Sequence, residues 1–342
     1  MPAKTVIELK SITKQYDDIV AVDDVSIKVA QGDLMVLLGS SGCGKTTTLR
    51  LIAGLERPER GKIVIDNVLV ASDNVWVSPE HRHIGMVFQD YALFPHLKCK
   101  DNISFALTSQ KSKRNRVDEM LELVGMEGLG DRYPHQLSGG QQQRIALARA
   151  LAPEPSVVLL DEPFSNLDAA RRKQVREEVR QILKKAGTTG ILVTHDQEEA
   201  MSIADTVAVM QGGRILQVGK PLDLYRYPKH VDVANFLGEA NRLSGQAMGD
   251  TVQTILGDLP LAQPTRGRVE TLIRPEALQL DRNGSSNGTV LGVRFHGHYQ
   301  MVQLQLDDAT QLEARVWAQA DFTVDDRVSI HVDGAVVAFA VD

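Results

Sequence analysis

The stretch GSSGCGKT, Gly39 to Thr46, restricts the fold more than any other segment of this 342-residue chain. It fits G-x-x-x-x-G-K-[ST] and lies between the apolar run DLMVLLG (33–39) and the helix-forming TTTLRLIAGL that follows Lys45. Buried strand, glycine turn and helix, in that order, are the context the pattern requires. Gly42 and Gly44 let successive backbone amides point inward at a helix N-terminus and cradle the β- and γ-phosphates of a nucleotide. Lys45 neutralises β/γ charge, the Thr46 hydroxyl is placed to ligate Mg2+, and Thr47 is placed to hold the α-phosphate. Gly39, Ser40, Ser41 and Cys43 complete the loop, with Cys43 read as a small residue rather than a redox switch.

A phosphate loop needs a second half, and the next apolar runs supply candidates. PSVVLLDE (155–162) puts Asp161 at the C-terminal end of a buried strand, where ligands bind in open α/β sheets. There Asp161 can hold Mg2+ directly or through water. Glu162, one residue on, can polarise the attacking water as general base. GILVTH (190–195) ends in His195 one strand–helix–strand crossover later, so His195 can reach a γ-phosphate near Asp161 and Glu162. Gln89, at the end of GMVFQD (85–90), is a candidate for contact with Mg2+ or the water, and Tyr16 for stacking on adenine.

The first 235 residues read as alternating short apolar strands and amphipathic helices. Between the second and third apolar runs, DAARRKQVREEVRQILKK (168–185) puts Val175, Val179, Ile182 and Leu183 on one helix face. The unit is strand–helix–strand, which predicts an α/β fold with a parallel sheet. After about Gly238 the pattern changes to alternation, in MVQLQL (301–306), LEARVW (312–317), RVSIHV (327–332) and VVAFAV (336–341). Turn clusters DRNGSSNG (281–288) and LDDAT (306–310) separate these runs, which predicts a small antiparallel β domain, barrel or sandwich. His296 and His298 in RFHGHY would share a face on a strand, but no carboxylate or cysteine cluster joins them, which argues against a metal site.

Composition excludes several classes. The net charge of −6 argues against nucleic acid as the main partner, and two cysteines supply no disulfide framework. MPAKTVIELK lacks the apolar core of a signal peptide, and no run of about 18 apolar residues spans a membrane. A soluble protein of a reducing compartment is expected.

One helix start is unusual. In LSGGQQQRIALARAL (137–151), Ser138 and Gln141 have capping-box spacing, yet Gly139 and Gly140 between them are poor helix formers. Something must come close to the backbone there.

Taken together, GSSGCGKT, Gln89, LSGGQ (137–141), VVLLDEP, SNLD (165–168) and His195, in this order over some 230 residues, resemble the ATP-binding cassette (ABC) transporter ATPases. The resemblance implies a P-loop α/β ATPase domain over 1–237, with a helical signature subdomain at about 90–155, then an oligomer-binding-like β barrel over 238–342. It implies ATP and Mg2+, with Thr46, Gln89 and Asp161 at the metal. It also implies a head-to-tail homodimer in which Ser138, Gly139, Gly140 and Gln141 complete the partner's nucleotide site and Asp168 connects the two sites. Asn166 stands where many members carry alanine, with no consequence expected for catalysis.

LIRPEALQL (272–280) with the strands after it is similar to the accessory domain of importer ATPases serving sugars, polyamines, sulfate, molybdate, thiamine or ferric iron. Residues 79–107 look like the surface that docks a membrane permease subunit, and through it a periplasmic substrate-binding protein. Within that group the chain most resembles ferric-iron importer ATPases, at the cytoplasmic face of the bacterial inner membrane. Such an ATPase does not touch its cargo, so no iron ligands are expected. Two other classes compete. A soluble ABC-type ATPase acting on DNA or ribosomes usually carries two cassettes or a long coiled coil, both lacking here. A non-hydrolysing regulatory module would not need Glu162 and His195.

Overall fold

The computed structural model describes residues 4–107, 110–282 and 286–341, without the side chains of 110–113, 169 and 170. The chain divides into two units, Met1–Pro221 and Leu222–Asp342.

The first unit opens on two long strands, β1 (Thr5–Tyr16) and β2 (Ile19–Ala30), paired antiparallel. Next come β3 (Leu34–Leu38), helix α1 (Lys45–Ala53), and β4 (Arg60–Ile65) and β5 (Val68–Ala71). Strands β2-β1-β4-β5 form an antiparallel sheet, which departs from the expected strand–helix alternation. Its signal is broken in the sequence because β1 is bulged. Ile7 and Leu9 face the core, but the register shifts before Ile12, where Ser11 takes a left-handed φ of 49°.

The remaining elements of this unit build the sheet that carries the candidate site. They are β6 (Ile84–Val87), α2 (Cys99–Ser104), α3 (Gln110–Leu123), α4 (Gly139–Leu151), β7 (Val157–Asp161), α5 (Ala169–Ala186), β8 (Thr189–Thr194), α6 (Gln197–Ile203), β9 (Thr206–Gln211) and β10 (Arg214–Gly219). The six-stranded order is β10-β9-β3-β8-β7-β6. Strands β9, β3, β8, β7 and β6 are mutually parallel, and β10 closes one edge as a hairpin with β9. The apolar runs read as buried strands are those strands: every residue of β3 and β8 is buried, as are Val157 to Leu160 of β7. In α5, Val175, Val179, Ile182 and Leu183 are buried as one stripe. Among the described residues no helix is long and apolar enough to cross a membrane.

Helix α1, which carries the phosphate loop at its start, is held at its other end by Arg82. The guanidinium is 2% exposed and donates to the carbonyls of Leu51 and Ile52 at 2.8 and 2.9 Å, and to Val77 at 2.8 Å. It also lies 4.7 Å from the Trp76 ring centre. Burial brings its pKa down to about 10, so it remains charged at neutral pH.

The second unit holds α7 (Pro221–Arg226) from Leu222 onward, α8 (Val231–Phe236), and strands β11 (Asn241–Thr254), β12 (Gly257–Ile273), β13 (Leu278–Asp281), β14 (Gly288–Phe295), β15 (Tyr299–Leu306), β16 (Gln311–Trp317), β17 (Arg327–Val332) and β18 (Val337–Ala340). A three-stranded sheet, β11-β12-β18, and a five-stranded one, β13-β17-β14-β15-β16, enclose one apolar core. Its inward residues include Val302, Leu304 and Leu306 from the alternation in β15. Arg274 ties the start of this unit to its strands, donating to the carbonyls of Ala234, Gly238 and Glu239. The DRNGSSNG turn lies partly outside the described residues, at 283–285.

The strand reading of His296 and His298 is corrected. Both lie in the turn between β14 and β15, not on a strand. His296 stacks parallel on Tyr299 at 4.9 Å and His298 meets the same ring edge-on at 5.0 Å, so aromatic packing accounts for the pair.

Replacing Arg82 with alanine removes the side-chain donor from the carbonyls of Leu51, Ile52, Val70 and Val77. Urea unfolding of R82A should show a loss of about 3 kcal/mol, with R82K recovering only part of it because one ammonium cannot span those acceptors. A wild-type midpoint for R82A would show that Arg82 does not anchor the helix.

Candidate nucleotide-binding site

The site begins where the central strand β3 turns into α1. A side chain at Gly44 would collide with the Ala21 carbonyl, and its φ of 104° suits glycine, so the turn admits no other residue without rearrangement. Lys45 is buried, and its ammonium donates to the carbonyls of Gly39 and Ser40, both at 2.8 Å. These bonds hold a cation inside the loop, ready for exchange to a phosphate oxygen. The Cys43 thiol is buried beside Lys45, and burial pushes its pKa up despite that cation, so it stays an uncharged small residue.

Two strands away in the sheet, β7 delivers Asp161. The Thr46 hydroxyl donates to its carboxylate at 3.1 Å. Burial pushes the Asp161 pKa up, against the lowering effects of Thr46, Arg50 and Lys45. A carboxylate short of positive charge, with a hydroxyl beside it and a phosphate loop adjoining, suits a hard divalent cation with oxygen ligands.

Glu162 follows in a left-handed backbone conformation, φ 41°, fixed by its N–H donating to the Val193 carbonyl of β8 at 3.1 Å. Its carboxylate lies 3.2 Å from His195 Nδ1. His195 rests on a local frame that the sequence reading did not identify. The Thr194 hydroxyl donates to the buried Glu199 carboxylate at 2.6 Å and accepts the Asp196 N–H, while Asp196 caps α6. Burial pushes the Glu199 pKa up.

Gln89 leaves the edge strand β6, and its exposed side chain has no hydrogen bond among the described residues. Its main-chain carbonyl accepts from the Asn166 side chain at 2.9 Å. Tyr91 and Ala92 then take φ of 63° and 44°, and Arg149 of α4 holds both their carbonyls. Tyr16, at the end of β1, is partly exposed, with the Lys14 ammonium 4.9 Å from its ring centre. Burial raises its pKa, with Glu56 adding to the effect and Thr47 opposing it.

Ser138 caps α4 with both halves of the capping box. Its hydroxyl accepts from the Gln141 N–H at 3.4 Å, and the Gln141 side chain accepts from the Ser138 N–H at 2.9 Å. The two glycines lie near side chains of their own chain. A Cβ at Gly139 would lie 3.4 Å from Leu167, and one at Gly140 would lie 3.3 Å from Val175. Asp168 caps α5, accepting the Arg171 N–H at 3.0 Å.

The fold therefore brings the phosphate loop, Asp161, Glu162 and His195 to one edge of the sheet, with Gln89 leaving the same edge. It does not bring the 138–141 segment onto the phosphate loop of its own chain: among the described residues no hydrogen bond joins them. Asn166, Arg149, Thr194 and Glu199 were missed in the sequence, since their contacts depend on which loops the sheet juxtaposes.

Residues 22–165 match the family described as ABC transporter, and residues 271–339 match the TOBE domain. The chain is 41% identical over 329 residues to the Fe(3+) ions import ATP-binding protein of Vibrio cholerae serotype O1, covering 90% of this chain and 93% of that protein. It is 45% identical over 286 residues to the sulfate/thiosulfate import ATP-binding protein of Caulobacter vibrioides, covering 81% and 83%. Among solved structures, a dimeric bacterial ABC transporter cassette aligns with a TM-score of 0.55 and 31% identity, covering 63% of this chain and 98% of that one.

An acid whose folded pKa is raised is favoured in its protonated form, so ionised Asp161 destabilises the fold at neutral pH. The penalty fades as pH falls through that folded pKa. Without nucleotide or divalent cation, D161N should melt higher than wild type at neutral pH, with the gap narrowing under acid. Equal melting temperatures across the range would remove the claim of a desolvated charge.

Proposed function

The chain belongs to the ABC transporter ATPases, and from that premise we propose that it is the ATP-hydrolysing subunit of a bacterial membrane importer for ferric iron. Two copies work head to tail and close two ATP molecules between them. The observation that carries the catalytic reading is the Glu162 carboxylate, 3.2 Å from His195 and one residue beyond the Asp161–Thr46 pair.

In this reading the loop amides of Gly39 to Thr46 receive the β- and γ-phosphates, Lys45 moves from its own carbonyls to a phosphate oxygen, and Thr47 meets the α-phosphate. Thr46 and Asp161, with Gln89 nearby in the fold, would hold Mg2+, which neutralises charge on the β and γ oxygens when bound. Glu162 takes a proton from the attacking water, and His195 orients that carboxylate and faces the γ-phosphate. Tyr16 meets the adenine. Ser138, Gly139, Gly140 and Gln141 cover the ATP held by the other copy, and Asp168 lies across the dimer seam. ATP binding closes the dimer, hydrolysis opens it, and the permease subunits follow. The 79–107 segment is the docking surface for those subunits, supported by the exposed Phe88 and Phe105. This puts the chain on the cytoplasmic face of the inner membrane, with a periplasmic binding protein upstream and no role for nucleic acid.

Ferric iron as cargo is supported by relatives whose names state Fe(3+) import, at 40–42% identity over most of both chains. The sulfate relative at 45% over a shorter span makes sulfate the competing cargo. Radiolabelled iron and sulfate uptake into cells lacking this chain separates the two. Lost iron uptake with normal sulfate uptake is expected, and the reverse would overturn the cargo.

E162Q should bind ATP normally, lose hydrolysis by about 10²–10⁴-fold and elute as a closed dimer with ATP. K45A should fail at the earlier step, nucleotide binding. Unimpaired turnover of E162Q sinks the general-base assignment. A Ser138→Arg chain that hydrolyses ATP normally refutes the shared sites.

A further inference from the structure

Resting on that ATPase reading, we infer that Asn166 is a positioning residue for Gln89: its side-chain amide fastens the Gln89 backbone to the loop that follows Glu162. The bond is short and directional, Nδ2 to the Gln89 carbonyl at 2.9 Å, and it joins residues 77 apart in sequence. Alanine at this position could not make it. Asn166 is exposed, so it does not fill a core. A neutral amide donating to one main-chain carbonyl on a neighbouring loop acts through where it holds that loop.

The loop in question needs holding. Gln89 leaves β6 just before two consecutive non-glycine residues in the left-handed region, Tyr91 and Ala92. Only two side chains grip the carbonyls of this bend among the described residues. Arg149 of α4 takes Tyr91 and Ala92 at 2.8 and 2.6 Å, and Asn166 takes Gln89. Arg149 therefore fixes the far side of the bend, and Asn166 fixes Gln89, the residue given a place near Mg2+ in the proposed function.

The loop bearing Asn166 is itself tied to the backbone of Glu162. The Ser165 hydroxyl donates to the Glu162 carbonyl at 3.0 Å, and the Ser165 N–H reaches the same oxygen at 3.2 Å. On its other side Arg172 donates to the Leu167 carbonyl at 3.1 Å and lies 3.6 Å from Asp196, the residue after His195. Residues 165–167 thus tie three places together: Ser165 holds the Glu162 backbone, Asn166 the Gln89 backbone, and Leu167 reaches the His195 loop through Arg172. Asn166, one residue from Ser165, is the link that sets the spacing between Gln89 and Glu162. Reaction rates respond steeply to such spacing, while ATP affinity depends on the phosphate loop.

The test uses the purified full chain in single-turnover ATP hydrolysis, enzyme in excess, so that slow variants are measured. N166A should lower the rate constant about tenfold with ATP affinity within about twofold of wild type. N166D is isosteric but faces the carbonyl with a carboxylate oxygen, and it should be at least as slow. Amide hydrogen exchange over 88–92 should speed up in both variants while Lys45–Ala53 keeps wild-type exchange. In a Q89A background N166A should add nothing. Wild-type rates in N166D, unchanged exchange over 88–92, or multiplicative losses from N166A and Q89A would each overturn the assignment. If the wild-type chain binds but does not hydrolyse ATP, the ATPase reading falls, and the exchange data still decide whether Asn166 holds the bend.

Discussion

The parallel pairing of β3, β8 and β7 is the constraint on which the rest of the site depends. Parallel strands end on the same side of a sheet, so a chain that puts a phosphate loop after one, a carboxylate pair after the second and a histidine after the third has no separate search to make for a site. The strands are fully buried, so slipping any of them by a residue would turn apolar side chains and functional ends together. Hydrophobic burial thereby sets the geometry of groups that are themselves polar, and Glu162 shows the consequence. Its left-handed backbone is held by a hydrogen bond to Val193, a residue of the neighbouring strand.

What could be read in the sequence follows from this. Phosphate loop, Asp161, Glu162, His195 and the box of Ser138 and Gln141 were legible because each depends on neighbours within a few residues or on the end of an apolar run. The β1–β2–β4–β5 sheet was not, because the Ser11 bulge interrupts the alternation that would have announced it. His296 and His298 were misread because a period of two means a shared face only where the chain is extended, and here it turns. Asn166 is visible in the sequence only as a departure from alanine with no consequence expected, since a neutral amide on a loop acquires meaning only from the carbonyl opposite it. The Thr194–Glu199 bond spans only five residues, yet a sequence does not say which of three successive acidic or amide side chains at 197–199 turns inward.

Charge within the site is arranged so that ligand and protein supply what the other lacks. Lys45 lies against its own loop carbonyls, and Asp161 is desolvated with only a hydroxyl donor at hydrogen-bond distance. The first is a cation whose present partners are neutral; the second is an anion whose burial raises its energy. Among the described residues no salt bridge joins the buried lysine to the half-buried aspartate, so each keeps a charge that no direct ionic partner offsets.

The glycines of LSGGQ lie half-buried at the start of α4. Within one chain, a Cβ at Gly139 would make an ordinary contact with the Leu167 side chain at 3.4 Å, and one at Gly140 a slightly tighter contact with Val175 of α5 at 3.3 Å. That packing does not by itself account for two poor helix formers in a first turn. On the outer side of the same turn the Ser138 and Gln141 side chains each accept the other's backbone N–H, and both residues are exposed or half-buried at the positive end of α4. The Leu167 loop beside Gly139 is the one that carries Asn166, so the start of α4, the Gln89 bend and Glu162 share a single support.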